Sequence, residues 1–110
     1  LEDADMKVFR TMLVAATLLA VSIPAAALLP GDAEDGKPLH DNFCTACHVN
    51  MFGGDGNSVY TRDTRRVQSI EGLMGQVAFC NQQTSAGLNE HEVDDIIAYL
   101  NEAFYGFETD

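Results

Sequence analysis

The stretch "DNFCTACHVNMF", residues 41–52, holds two of the three cysteines of this 110-residue chain, Cys44 and Cys47, with His48 directly after the second. Two cysteines at this spacing serve three chemistries: half of a structural metal site, a redox dithiol, or the covalent anchor of a prosthetic group. Each makes a different demand on the rest of the chain. A structural zinc site needs a second ligand pair, yet beyond the motif there are only Cys80, His40 and His91, each alone. A thioredoxin-like dithiol belongs beside a βαβ pattern, and no stretch alternates as a strand.

Compartment bears on the choice. Residues 6–27, "MKVFRTMLVAATLLAVSIPAAA", have the plan of a secretory signal peptide. Lys7 and Arg10 form the basic region, Met12 to Ile23 the apolar run, and Pro24 with Ala25, Ala26 and Ala27 the cleavage region. Residues 1–5, "LEDAD", read as an upstream extension outside the fold. Cleavage after Ala27 is expected, giving a periplasmic protein; the alternative is an uncleaved anchor, since the apolar stretch nearly matches the roughly 20 residues of a membrane span. Residues 28–35 read as an N-terminal arm and 36–110 as the functional domain.

A domain this short buries little core of its own, and such chains usually carry a disulfide set, a metal or a cofactor. Three cysteines make no disulfide framework. The net charge of −11 argues against nucleic acid or an anionic membrane surface as partner, and for docking to a basic patch on another protein.

The pattern predicts an all-α fold of three to four short helices joined by long loops. A first helix starts at Gly36, tolerates Pro38 in its first turn and delivers the cysteine motif. Residues 49–66 read as a Gly- and Asn-rich loop. A second helix is predicted over Ser69 to Asn81, where Ile70, Leu73, Met74 and Val77 recur at helical spacing. After a loop over 82–88, Asn89 and Glu92 offer a capping box for a third helix, with Val93, Ile96, Ile97, Leu100 and Phe104 as its apolar stripe. Its acidic run reads as a solvated face.

With zinc and dithiol lacking their other parts, Cys44-x-x-Cys47-His48 reads as the attachment pattern of one covalent c-type haem. Two thiols would form thioethers on one edge of the ring and His48 would bind the iron, histidine being the usual proximal ligand. The flanks agree. "GKPLHDNFCTACH" resembles the first helix of single-haem, class I cytochromes c, and "DDIIAYLNEAF" resembles their C-terminal helix. The resemblance implies a cytochrome c-like bundle around the haem, with the two helices crossing at Gly36 and Tyr99. "CHVNMFGGDGNSVYTRDTRRV" and "YLNEAFYGF" also resemble small periplasmic proteobacterial cytochromes.

The chain departs from that family at the sixth iron ligand, because the loop "NQQTSAGL" before the last helix has no methionine. Cys80 closes the second helix just ahead of that loop and has no disulfide partner in the chain. It is the expected ligand, since a thiolate can bind haem iron; Met74, then His91 or Asn81, are the alternatives. Met51 follows His48 too closely to reach the other face at roughly 3.3–3.6 Å per residue. His40 has the same difficulty and is expected to be exposed or at the haem edge. Arg62, Arg65 and Tyr60, beside Arg66, are expected at the haem propionates, a guanidinium forking naturally onto a carboxylate. The function these readings imply is periplasmic electron transfer rather than enzymatic turnover. The alternatives are a haem subunit or enzyme of sulfur-compound oxidation with a His/Cys-ligated iron, or a gas-binding haem sensor.

Overall fold

A computed structural model describes residues 29–109. The upstream extension and the signal peptide expected over 1–27 lie outside the described residues. Within them the fold is all-helical, as the sequence predicts, with helices α1 (Ala33–Phe43), α2 (Thr45–Phe52), α3 (Ser58–Thr61), α4 (Ile70–Thr84) and α5 (Glu90–Leu100), followed by a π turn at Asn101–Tyr105. Among the described residues no helix is long and apolar enough to cross a membrane.

The helix ends follow from local chemistry. Asp32 accepts the backbone N–H groups of Glu34 and Asp35, so α1 starts at Ala33 and takes its first turn from the expected N-terminal arm. The first helix divides at Cys44, whose N–H still reaches the His40 carbonyl at 2.9 Å. Ser69 caps α4 through the Gly72 N–H. α4 runs on to Thr84, past the expected end at Asn81. The predicted capping box is present: Asn89 accepts the Glu92 N–H at 2.8 Å and Glu92 accepts the Asn89 N–H at 3.1 Å. Within the expected 49–66 loop, α2 extends to Phe52 and α3 adds one turn.

α1 and α5 pack against each other along most of their length. Gly36 is buried where they cross, and a Cβ there would run into the Asp95 carbonyl and come within 2.9 Å of the Tyr99 Cβ. Gly36 and Tyr99 therefore meet at the crossing, as the resemblance implies. Asp95 corrects the reading of the acidic run as a solvated face. It is buried, because its Oδ1 accepts the Asp32 N–H at 2.8 Å and ties the start of α1 to the middle of α5.

The buried apolar core is small: Tyr60, Val67, Leu73, Ile96, Ile97 and Leu100, with Leu39, Val77 and Phe104 among the half-buried side chains packed on it. Two asparagines clamp the chain around it. Asn81 exchanges both amide hydrogen bonds with the Leu88 backbone, and Asn101 does the same with Phe107. Gly36→Ala places a methyl group against backbone that cannot yield, so it should cost about 1–3 kcal/mol or more. Asn89→Ala removes only a cap and should cost about 1 kcal/mol. Chemical denaturation of the full chain, ranking Gly36→Ala as the more damaging, checks the crossing.

Candidate functional site

The core ends at a cleft of about 440 Å³ with mostly apolar walls. One wall is the cysteine motif. Cys44 lies at the joint between α1 and α2, Cys47 and His48 on the first turn of α2, and all three line the cleft. The joint places both thiols and the imidazole together at one mouth. Behind the ring, Gly56 has φ +83°, and a Cβ there would lie 2.9 Å from both the His48 Cβ and the Val49 nitrogen. The loop backbone is thus packed on the back of the histidine, a contact that only glycine allows.

The opposite wall is one stripe of α4. Leu73, Gln76, Val77, Cys80, Asn81 and Thr84 all line the cleft, and their spacing of three and four residues is the pitch of a single helix face. Cys80 therefore faces the motif from across the cleft, half-buried, with Gln76 Nε2 donating to its Sγ at 3.4 Å. Met74 sits one residue off the stripe, is partly exposed and does not line the cleft. Asn81 does line it, but its amide is committed to Leu88. His91 lies away from the cleft on the solvent side of α5, its Nε2 3.8 Å from Asp95 Oδ2. Of the four candidate sixth ligands, Cys80 and Asn81 line the cleft, and of these two Cys80 is the one whose side chain is not tied to backbone.

The arginines divide. Arg62 and Arg66 line the cleft, Arg62 lying 5.0 Å above the Phe52 ring. Arg65 is a brace: it donates to the Tyr60 carbonyl at 3.0 Å and stacks over Tyr105 at 4.9 Å. No ion pair of an arginine with a carboxylate occurs among the described residues.

Tyr60 and His40 are the residues whose roles the sequence reading missed. His40, expected to be exposed or at a haem edge, is 2% exposed. Its ring is enclosed by Tyr60 and Tyr99, its Nε2 meets the Tyr60 hydroxyl at 2.9 Å, and its Nδ1 meets Asp41 Oδ1 at 3.2 Å. The same hydroxyl lies 2.9 Å from His48 Nδ1. These residues come from three elements, α1, α2 and α3, and no sequence period links them.

The electrostatics favour neutral groups. Burial, helped by His40, holds the His48 pKa below the ordinary histidine value, so the ring stands as a neutral imidazole with Nδ1 engaged, the state a metal-ligating histidine needs. Burial, with smaller contributions from Cys80, Cys47 and Asp41, pushes the Cys44 thiol up to about 11. Among the described residues no group of three or more His, Cys, Asp or Glu side chains is placed to hold a metal ion directly. A flat apolar ring fits the site better: apolar walls, two free thiols and a neutral imidazole at one mouth, a sulfur donor opposite, and two arginines at the rim.

One curated relative agrees with that arrangement. The chain is 29% identical over 87 residues to cytochrome c-554(547) of Halothiobacillus neapolitanus, an alignment covering 64% of this chain and 94% of the relative. The chain is similar to a c-type cytochrome. No family model matches, and no solved structure is similar enough to count as a match.

Tyr60 gives the site a signature at alkaline pH. Burial is the main reason its pKa is raised well above the ordinary tyrosine value near 10. The unfolded chain ionises this phenol from about pH 10 while the folded chain does not, so its contribution to stability is present below pH 10 and is lost as pH rises beyond it. Denaturant titrations between pH 8 and 11 should show this loss, to which Cys44 and Tyr105 also contribute, and Tyr60→Phe should lessen it.

Proposed function

We propose that this chain is a single-haem c-type cytochrome that carries electrons in the periplasm. The observation that carries the reading is the convergence of Cys44, Cys47 and His48 on one apolar cleft, with His48 neutral and its Nδ1 engaged. A haem held there would supply a one-electron couple at iron. Cys44 and Cys47 would anchor it through two thioethers, and His48 Nε2 would be the proximal iron ligand. Val59, Val67, Leu73, Val77 and Leu100 supply apolar walls for the ring. Arg62 and Arg66 would hold its propionates at the rim.

Cys80 would be the sixth ligand. It lines the cleft on the α4 stripe, where Gln76 Nε2 donates to its Sγ. A thiolate gives more electron density to ferric iron than a thioether does, so the potential should be low. The same Cys80 supports a second reading, a His/Cys-ligated haem subunit of sulfur-compound oxidation. The likeness to a c-type cytochrome and the signal-like leader support export, and the charge of −11 supports a redox partner with a basic docking surface.

Expression of the full chain in a host with cytochrome maturation tests the reading. The expected product stains for haem on a denaturing gel and gains about one haem in mass; an unmodified polypeptide rejects the proposal. Cys47→Ser should retain at most one thioether. Cys80→Ala should convert the oxidised spectrum from low spin to high spin or water-bound, while Met74→Leu leaves it unchanged; the reverse pattern would give the ligand to Met74.

A further inference from the structure

The Tyr60 hydroxyl is shared by two histidines at equal distance, and the protons available to the group fix how the bonds run. The hydroxyl carries one hydrogen. With His48 Nδ1 and His40 Nε2 each 2.9 Å away, it donates to one ring and accepts from the other. The far end decides which. His40 Nδ1 lies 3.2 Å from Asp41 Oδ1, and Asp41 Oδ2 takes the Lys37 ammonium at 2.8 Å. The Asp41 pKa is lowered, first by the Lys37 hydrogen bond and then by that from His40, so it is a carboxylate and only accepts. A bare nitrogen facing it would set two acceptors against each other. His40 therefore carries its proton on Nδ1.

With His40 neutral, the remaining bonds follow in turn. Its Nε2 is bare and accepts from the Tyr60 hydroxyl; the Tyr60 oxygen accepts from His48 Nδ1–H; and His48 Nε2 is left without a proton. The series runs in one direction, from His48 through Tyr60 and His40 to the Asp41–Lys37 pair at the surface. The reverse direction would place a proton on His48 Nε2 and block it as a metal donor.

We propose that Tyr60, oriented by His40 and the Asp41–Lys37 pair, is a positioning residue that presets the His48 tautomer and ring angle for iron and lowers the potential of the site through the Nδ1–H hydrogen bond. The inference rests on the haem reading above. A hydrogen bond from the second ring nitrogen of a metal-bound histidine raises the basicity of the ligand, which favours ferric over ferrous iron. The arrangement is also rigid. His40 and Tyr60 are both buried, and Phe104, 5.1 Å from the Tyr60 ring, and Tyr99, 5.2 Å from His40, hold them in place.

The test is a redox titration of the haem-loaded full chain and its variants, together with proton NMR of the His48 Nδ1–H. Tyr60→Phe keeps the ring but removes the acceptor. Its ferric preference should fall on the order of tenfold, raising the potential by about 59 mV for a one-electron couple, and the slowly exchanging Nδ1–H resonance of the parent should be lost. His40→Leu removes the group that orients Tyr60 and should shift the potential the same way. His40→Gln restores an acceptor and should return most of the shift, a rescue that a purely structural role would not produce.

A haem-loaded Tyr60→Phe protein with the parental potential and an unchanged Nδ1–H exchange rate overturns the inference and leaves the haem reading standing. Where Tyr60→Phe does not accumulate, equal potentials for His40→Leu and His40→Gln overturn it. A parent chain that acquires no haem under cytochrome maturation overturns both.

Discussion

The buried apolar side chains among the described residues form one cluster that borders a cleft. Leu73, Ile96 and Leu100 pack together, yet the same three side chains also line a cleft whose far wall is Cys44, Cys47 and His48. α2 is packed from behind by its own surroundings. The loop backbone at Gly56 is packed behind His48, and Tyr60 is wedged between His48 and His40. Small domains that fail to complete a core commonly use a bound group to do so. Here the apolar walls of the cleft and the thiols, imidazole and arginines that line it suit one such group. A haem would both complete the core and perform the function.

Three devices hold the walls at their spacing. The α1/α5 crossing at Gly36 and Tyr99 fixes the scaffold, and the buried Asp95 pins the start of α1 to it by accepting the Asp32 N–H. Asn81 and Asn101 turn the loop before α5 and the C-terminal segment back onto the core through paired backbone hydrogen bonds. The Tyr60 hydroxyl joins α1, α2 and α3 through His40 and His48. The same contacts would both stabilise the fold and orient the proposed ligand, so variants at Tyr60 or His40 need a spectroscopic or redox readout to separate the two effects.

Legibility in the sequence followed the range of each interaction. The motif, the capping box at Asn89 and Glu92, and the apolar stripe of α5 are encoded within a few residues, and each was readable. The placement of Cys80 near the end of α4 was readable; that it shares a cleft with His48 depends on packing. His40 was misjudged because its burial arises from Tyr60, 20 residues away, and Tyr99, on another helix. Arg65 and Arg66 are adjacent and chemically equivalent in sequence, yet Arg65 is spent on the Tyr60 carbonyl and Tyr105 while Arg66 faces the cleft. Asp95 looks like its solvated neighbours until the Asp32 N–H arrives from outside its own helix.

If the cleft is where the core is completed, removing the means of attachment should remove the fold. Circular dichroism of the Cys44→Ser/Cys47→Ser chain, prepared free of haem, measures this directly. The account predicts weak helicity and no cooperative melt, since a ligand bound only by the folded state adds its binding free energy to stability. A cooperative transition with native-like helix content would show that the polypeptide closes its own core, and would contradict the claim that haem is structural here.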